Sequence, residues 1–246
     1  VRDRTFFYAN LEYSRDRNVQ LVDAPALGVV DSVTANSQSW LGSVRLDHRF
    51  SDAWTGSLRA NVGRVTIERP GGGLGGGNVT FPSAGSDQQR YSTLVAASLA
   101  YSGEDWAYDG SVQYSRFRWD YAAPTVAPGP QVVVRDNSGL TVGVIGHPGF
   151  LFNDLEETWQ SVHRLSRALG RHRLTAGIDV IHSDFALLGG GNPDGNFTVD
   201  LAPAQLATLR AANRGLALTA QDVLALNPAV ASYSVELRPQ SFGRGQ

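Results

Sequence analysis

Apolar and polar residues alternate with a period of two through most of the chain, the period of a β-strand whose two faces meet different surroundings. From Arg4 to Arg15, Phe7, Ala9, Leu11 and Tyr13 fall on one side and Asn10, Glu12 and Ser14 on the other, with Phe6 and Tyr8 near the start. From Gln38 to Phe50, Trp40, Gly42, Val44, Leu46 and Phe50, interrupted by His48, oppose Ser43, Arg45, Asp47 and Arg49. A third segment, Ala53 to Glu68, sets Trp54, Gly56, Leu58, Ala60 and Val62 against Thr55, Ser57, Arg59 and Asn61, with a register change expected near Gly63-Arg64 so that Val65 and Ile67 continue the apolar side. The same reading gives strands at Arg90–Ser102, Asp105–Asp120, Glu157–Leu169 (the weakest) and Arg171–Phe185, and an eighth beginning near Tyr233. Val44, Leu46, Leu58, Ala60, Val112, Ile178 and Val180 share one phase and are expected on one side of one sheet. Arg45, Asp47, Arg49, Arg59, Asn61, Asp109, Gln113 and Asp179 are expected on the other.

The connections separate the possible architectures. Ser51-Asp52, Gly103-Glu104 and Gly170 read as tight hairpin turns. Asp16–Ser37, Arg69–Gln89, Tyr121–Glu156 and Ala186–Ser232 read as long connections that alternate with the turns. Loops beyond about 12–15 residues are uncommon in compact soluble domains, whereas a transmembrane barrel pairs short turns on one side with long loops on the other. The candidate strands exceed the roughly 9–11 residues that a tilted strand needs to cross hydrocarbon. Aromatic rings gather near strand ends, with Phe50 and Trp54 flanking one turn and Tyr101 and Trp106 another, as interfacial girdles do. In hydrocarbon every backbone polar group must be paired, so such a sheet has to close on itself. The expected fold is therefore all-β, an antiparallel up-and-down transmembrane β-barrel, present as about seven or eight strands of a larger one. The polar opening at Val1-Arg2-Asp3-Arg4 and the eighth strand running into Gln246 suggest an arc.

Composition narrows the function. Charged residues make up 18% of the chain and the formal net charge is −2, so no overall charge draws it to nucleic acid. Without cysteine there is no disulfide framework, thiolate metal site or cysteine nucleophile. His48, His147, His163, His172 and His182 are scattered and lack metal-ligand spacing. The run Gly71–Gly77 is followed by Asn78 and not by the Lys-Ser/Thr of a phosphate loop, and it reads as a loop tip. Asn192-Pro193-Asp194-Gly195-Asn196 lacks the distal Glu of a calcium loop and reads as a turn. Glu156 and Glu157 must point to opposite faces of a strand. No catalytic constellation, cofactor site or metal site emerges, and no ligand-binding residue is singled out. Pro203 to Gly215 reads as a short helix, and Thr219-Ala220-Gln221-Asp222 as the cap of a second one ending near Asn227-Pro228. These lie within an Ala/Leu-rich insertion, Pro203–Pro228, which either contacts a partner or packs on the barrel mouth.

Three phrases resemble a known family. Arg2-Asp3-Arg4-Thr5-Phe6-Phe7-Tyr8-Ala9-Asn10-Leu11-Glu12, Arg45-Leu46-Asp47-His48-Arg49-Phe50-Ser51-Asp52 and Gly170-Arg171-His172-Arg173-Leu174-Thr175-Ala176-Gly177-Ile178-Asp179 resemble barrel segments of TonB-dependent outer-membrane receptors, in the subgroup fronted by a carboxypeptidase-regulatory-like domain. Asp194-Gly195-Asn196-Phe197-Thr198 fits the start of that family's fourth loop, and the insertion after it departs from the pattern. The resemblance implies a plugged barrel of about 22 strands, with residues 1–246 holding roughly a third of them and neither the plug nor the C-terminal strands. It also implies a place in the bacterial outer membrane and uptake of a bulky nutrient such as a siderophore, oligosaccharide or peptide. The implied partners are outer-membrane lipid, the plug and remaining strands, and the TonB energy-coupling system. A passive porin-like barrel or a secreted soluble β-sandwich is the alternative. Ligand selectivity is expected in the loops Tyr121–Glu156 and Ala186–Ser232.

Overall fold

A computed structural model describes residues 3–71, 79–124, 128–236 and 240–245. Seven long strands follow the alternating segments: β1 (Thr5–Ala24), β2 (Val29–Arg49), β3 (Trp54–Arg69), β4 (Ser86–Ser102), β5 (Trp106–Ala122), β8 (Phe150–Leu169) and β9 (His172–Gly191). With β12 (Gln240–Gly245) they form an eight-stranded sheet in the order β1-β2-β3-β4-β5-β8-β9-β12, antiparallel throughout. A second sheet of four strands takes β6 (Gln131–Arg135), β7 (Thr141–Gly146), β10 (Asn196–Asp200) and β11 (Ala229–Ser234) from two of the long connections, in the order β11-β10-β6-β7. Its β6 and β10 are parallel neighbours, each supplied by a different connection.

The register from β1 to β9 is unbroken, so one row can be followed across seven strands: Phe7, Leu46, Leu58, Ala97, Val112, Ser161, Val180. The next row reads Ala9, Val44, Ala60, Val95, Tyr114, Trp159, His182. Ile178 lies one row nearer the tight turns, opposite His163, so the seven apolar residues expected to share a side do so. Arg45, Arg59 and Gln113 share a row of the other face, and Asp47 and Asp179 share the row beside it. The apolar face stays open: Phe7 is 85% exposed, Leu11 71% and Ile178 59%.

Rows of the apolar face also carry a stagger. Its aromatic boundary toward the long connections lies at Trp40 in β2, yet in β8 it lies at Trp159, which is level with Val44. Tyr91 of β4 is still level with Trp40 and Tyr114 of β5 already with Trp159, so the offset of four residues across four strand pairings averages one residue (about 3.3 Å) for each inter-strand spacing of about 4.8 Å. The ratio corresponds to a tilt of about 35°, within the range of closed barrels. Toward the tight turns the boundary moves the same way, from Trp54 and Tyr101 in one row to Leu169, four residues beyond Leu165 of that row. From Trp40 to Phe50 the band runs about 33 Å along the chain, which at this tilt is about 27 Å of height, close to the roughly 25 Å apolar girth of a membrane barrel.

Several expectations need correction. Asp16–Ser37 is not a long loop, because β1 and β2 pair from Thr5–His48 to Ala24–Val29 and turn through a short 3-10 segment, Pro25–Leu27. Gly28 closes that turn at φ 77°, in the left-handed region natural to glycine. No register change occurs at Gly63-Arg64, so Val65 and Ile67 lie on the polar face, where their strand runs toward the connections. Tyr233 belongs to β11 of the small sheet, and the eighth strand of the large sheet is β12. The glycine run lies outside the described residues from Gly72 to Gly77. The predicted helices are present as α1 (Pro203–Ala212) and α2 (Ala220–Leu224), the latter capped by Thr219 and Asp222.

The two faces predict opposite responses to charge. Leu58→Arg puts a guanidinium at the middle of the apolar band, a cost of about 2–4 kcal/mol in hydrocarbon, and should cut the yield of folded protein in micelles or bilayers. Arg59→Leu, on the polar face, should fold close to wild-type yield. Equal yields, measured by heat-modifiable gel mobility, would contradict the assignment of faces.

Candidate binding site at the cap end

The connections at the end opposite the tight turns build one folded cap. Its core takes Val22, Ala24, Leu27 and Val29 from the β1–β2 tip, Phe81 from the β3–β4 connection, and Val132, Val134, Val142 and Ile145 from β6 and β7. Val199, Leu201, Leu209, Leu218, Ala220 and Val223 complete it from the β9–β12 connection. These side chains are the main buried apolar cluster among the described residues. The Pro203–Pro228 insertion is therefore packed into the cap, with α1 reaching the β1–β2 tip, where the Arg210 Nη2 donates to the Ala26 carbonyl at 3.3 Å. The cap is cross-linked by a bidentate pair on adjacent parallel strands, Arg135 Nε to Asp200 Oδ1 at 2.8 Å and Nη2 to Oδ2 at 3.0 Å. It sits on the polar side of the sheet: Val22, Ala35, Ser86, Gln88 and Tyr121 of that face are all buried near it.

Below the cap, the polar face changes character. In β5 it carries Asp109, Ser111, Gln113 and Ser115, then Phe117, Trp119 and Tyr121. Register places Gln88, Tyr121 and Phe152 in one row, and Arg90, Trp119 and Asp154 in the next. Tyr121 stacks on Phe152 with centroids 5.1 Å apart and planes 10° apart, and Trp119 meets Phe152 edge-on at 4.9 Å. The Arg90 guanidinium lies 4.4 Å from the Trp119 ring centroid and donates to Gln88 Oε1 at 3.2 Å. Arg90 Nε and Trp119 Nε1 are buried without a hydrogen-bond partner. An unpaired buried donor costs about 1–3 kcal/mol, which the cation–π contact offsets only in part. The cluster offers ring faces, a guanidinium and, beside them, the Asp154 and Glu156 carboxylates. It suits a molecule with flat apolar surface and acceptor oxygens. Further toward the turns the wall is a hydrogen-bonded polar lattice, with Gln113 donating to Gln160 at 2.9 Å and Gln160 to Asp179 at 3.0 Å.

Sequence reasoning placed selectivity in the loops and did not single out these wall residues. The signal was present as the switch from Ser115 to Phe117-x-Trp119-x-Tyr121 on a face that had been polar. The other candidates are dispersed. His48 and His163 lie on the apolar face, bonded to Thr5 at 2.8 Å and to Tyr108 at 2.7 Å. Asn192–Asn196 forms a turn in which Asn192 Oδ1 accepts from Asp194 N at 2.9 Å. Glu156 and Glu157 point to opposite faces, as alternation requires. Among the described residues no group of three His, Asp or Glu side chains stands together as a metal set.

No family model and no curated protein matches the chain. Among solved structures, the outer membrane transporter YddB from Escherichia coli matches with a TM-score of 0.58 at 14% identity, over 82% of this chain and 26% of that one. The chain has the fold of part of a β-barrel wall. At this identity the likeness is one of fold, and the chain spans about a quarter of the transporter's length. The sheet order, the polar inner face and the stagger of about 35° agree with it.

Two experiments probe the cap. Phe81 is fully buried, and Phe81→Ala should cost about 3–5 kcal/mol; amide exchange should rise across the cap while the strands between the aromatic boundaries stay protected. Acid should loosen the cap as well. The Ser138 hydroxyl, with backbone donors of Ser138 and Leu140, holds the Asp136 carboxyl below its ordinary range, and the Thr219 hydroxyl does the same for Asp222, aided by Arg214. A depressed folded value lends stability that is complete above the unfolded value, about pH 3.9, and is lost as pH falls through the folded one. Exchange protection corrected for intrinsic rate should thus fall as the pH drops below the ordinary carboxylate range, about pH 3.9. In Asp222→Asn the α2 part of that pH dependence should be absent.

Proposed function

We propose that the chain is part of the barrel of an outer-membrane uptake receptor, and that its cap-end cluster contacts a bulky nutrient on its way in. The observation that carries this is the pairing of an open apolar band, about 27 Å tall, with a polar inner wall whose mouth is covered by a folded cap. A soluble sandwich would bury the apolar face under its second sheet. Here the small sheet sits at the cap end of the polar face. The fold shared with an outer membrane transporter supports the same reading. Transport, and no catalysis, is the role assigned.

The finer reading follows the sequence resemblance to TonB-dependent receptors. A plug fills the barrel, the remaining strands close it, and the TonB system supplies energy from the inner membrane. Siderophores, oligosaccharides or peptides are the ligand classes. Rings and a guanidinium at Trp119, Phe152 and Arg90 fit a ligand with both flat surface and oxygen acceptors. The passive-pore alternative lacks such an occluding cap in its simplest form.

Uptake by cells carrying the full-length protein tests this. Trp119→Ala with Arg90→Gln should lower uptake at least tenfold at limiting ligand while barrel assembly remains normal. Collapse of the proton gradient should stop uptake, whereas uptake unaffected by that collapse would favour a passive pore. Deletion of Pro203–Pro228 should expose the cap core and impair both cap folding and uptake; normal uptake would remove the insertion from this account.

A further inference from the structure

The edge of the apolar band carries a second pattern, in charge. Moving along the apolar face toward the cap, the first charged side chain is Arg15 in β1, Arg64 in β3 and Arg116 in β5. These three occupy different rows: Arg15 is level with Gln38, Arg64 with Trp40, and Arg116 with Gly42 through Val62 and Thr93. The rows differ by one residue per strand crossed, which is the stagger of the aromatic boundary. On a wall tilted by about 35° the three arginines therefore stand at one height, just beyond the band, on alternate strands about 12 Å apart. The strands between them, β2 and β4, offer Trp40, Gln38, Tyr91 and Gln89 at that level. In β8 and β9 the first charges beyond the boundary are Glu157 and Asp184. The belt thus has a basic sector and an acidic one.

All three guanidinia are exposed. Among the described residues Arg15 and Arg64 have no ion-pair partner, and Arg64 lies 5.4 Å from the Tyr91 ring. Arg116 pairs with Glu157 at 3.3 Å, and Arg118, one row above it, with Asp120 at 3.0 Å. An arginine facing hydrocarbon is costly at mid-depth and nearly free at the interface. A level row of them at the interface places fixed positive charge where lipid headgroups lie, and an anionic surface attracts it. Guanidinium presents paired donors that match phosphate oxygens.

We infer that Arg15, Arg64 and Arg116 form a docking belt for phosphate-bearing headgroups of the lipid leaflet at the cap end. This rests on the membrane reading of the apolar band. It goes beyond that reading in assigning one leaflet, one headgroup chemistry and one sector of the wall. The belt would hold an annulus of anionic lipid against β1–β5 and leave β8–β9 without one.

The test uses the full-length protein in detergent micelles, with bisphosphorylated lipid A and its dephosphorylated counterpart as probes. Native mass spectrometry counts bound lipid, and heat-modifiable mobility reports the barrel. Phosphorylated lipid should bind at least tenfold better than the dephosphorylated form, and Arg15→Gln/Arg64→Gln/Arg116→Gln should erase that preference. Arg64→Gln alone breaks no ion pair and should reduce occupancy several-fold, which keeps the test decisive if the triple variant fails to assemble. Arg59→Gln, on the polar face, should bind as wild type. Equal binding of the two lipids, an unaltered preference in Arg64→Gln, or displacement by millimolar inorganic phosphate would overturn the belt while leaving the barrel intact. Absence of a heat-modifiable barrel would instead sink the membrane reading beneath it.

Discussion

The unbroken antiparallel register between β1 and β9 is the constraint on which the other features depend. Each backbone N–H and C=O in the sheet interior is spent on a neighbouring strand, so a shift at one pairing would displace every residue on one side of it. Because no such shift occurs from β1 to β9, Phe7 and Val180 share a row although they are far apart in sequence. One face is then mainly apolar between its aromatic boundaries, broken by His48, His163 and Ser161, and the other is mainly polar. The apolar face has no packed core behind it within the band, since Leu58, Val112 and Ile178 are all substantially exposed. Hydrogen bonding, and not burial among side chains, fixes the geometry of this wall.

The cap is stabilised differently. Its strands are short, its elements come from separate connections, and one of its pairings is parallel. Burial of Val22, Phe81, Ile145, Val199, Leu201 and Val223 holds it together. Since β1 and β2 extend past the aromatic boundary into that core, the cap is anchored to the wall through continuous strands as well as through contacts. That anchoring positions Arg90, Trp119, Tyr121 and Phe152 at the junction of lattice and core. There the inner face turns from hydrogen-bonded amides and hydroxyls to rings, and two donors remain without partners.

Charge follows the same division. On the inner wall opposite charges are interleaved, as in Arg45 with Asp47 at 2.9 Å. On the outer face charge is absent from mid-band; at the cap edge it begins with bases on β1, β3 and β5 and acids on β8 and β9, and toward the turns Arg167 lies over the Trp106 ring. Depth along the strand decides where a charge is tolerated, because the electrostatic cost of a guanidinium falls steeply from the centre of an apolar layer to its surface.

Sequence by itself determined the membrane-level parts of the seven long strands, their two faces, the tight turns and the capped helix at Thr219, because each is set by neighbours within a few residues. Period-two alternation assigned Leu58 and Arg59 to opposite sides without any knowledge of their partners. Tertiary structure alone decided what depends on pairing between distant segments. Asp16–Ser37 lacks clean alternation because one side of its hairpin enters the cap core, so its polar-looking residues gave no strand signal. Residues near Gly63 kept their register, although local pattern suggested a slip, because both neighbouring strands hold the ladder in phase. The parallel union of β6 with β10 joins connections separated by two full strands, and no local signal encodes it. The Arg90–Trp119–Phe152 cluster and the level belt of Arg15, Arg64 and Arg116 exist only once the stagger between strands is known, since that stagger turns residues on separate strands into neighbours in space.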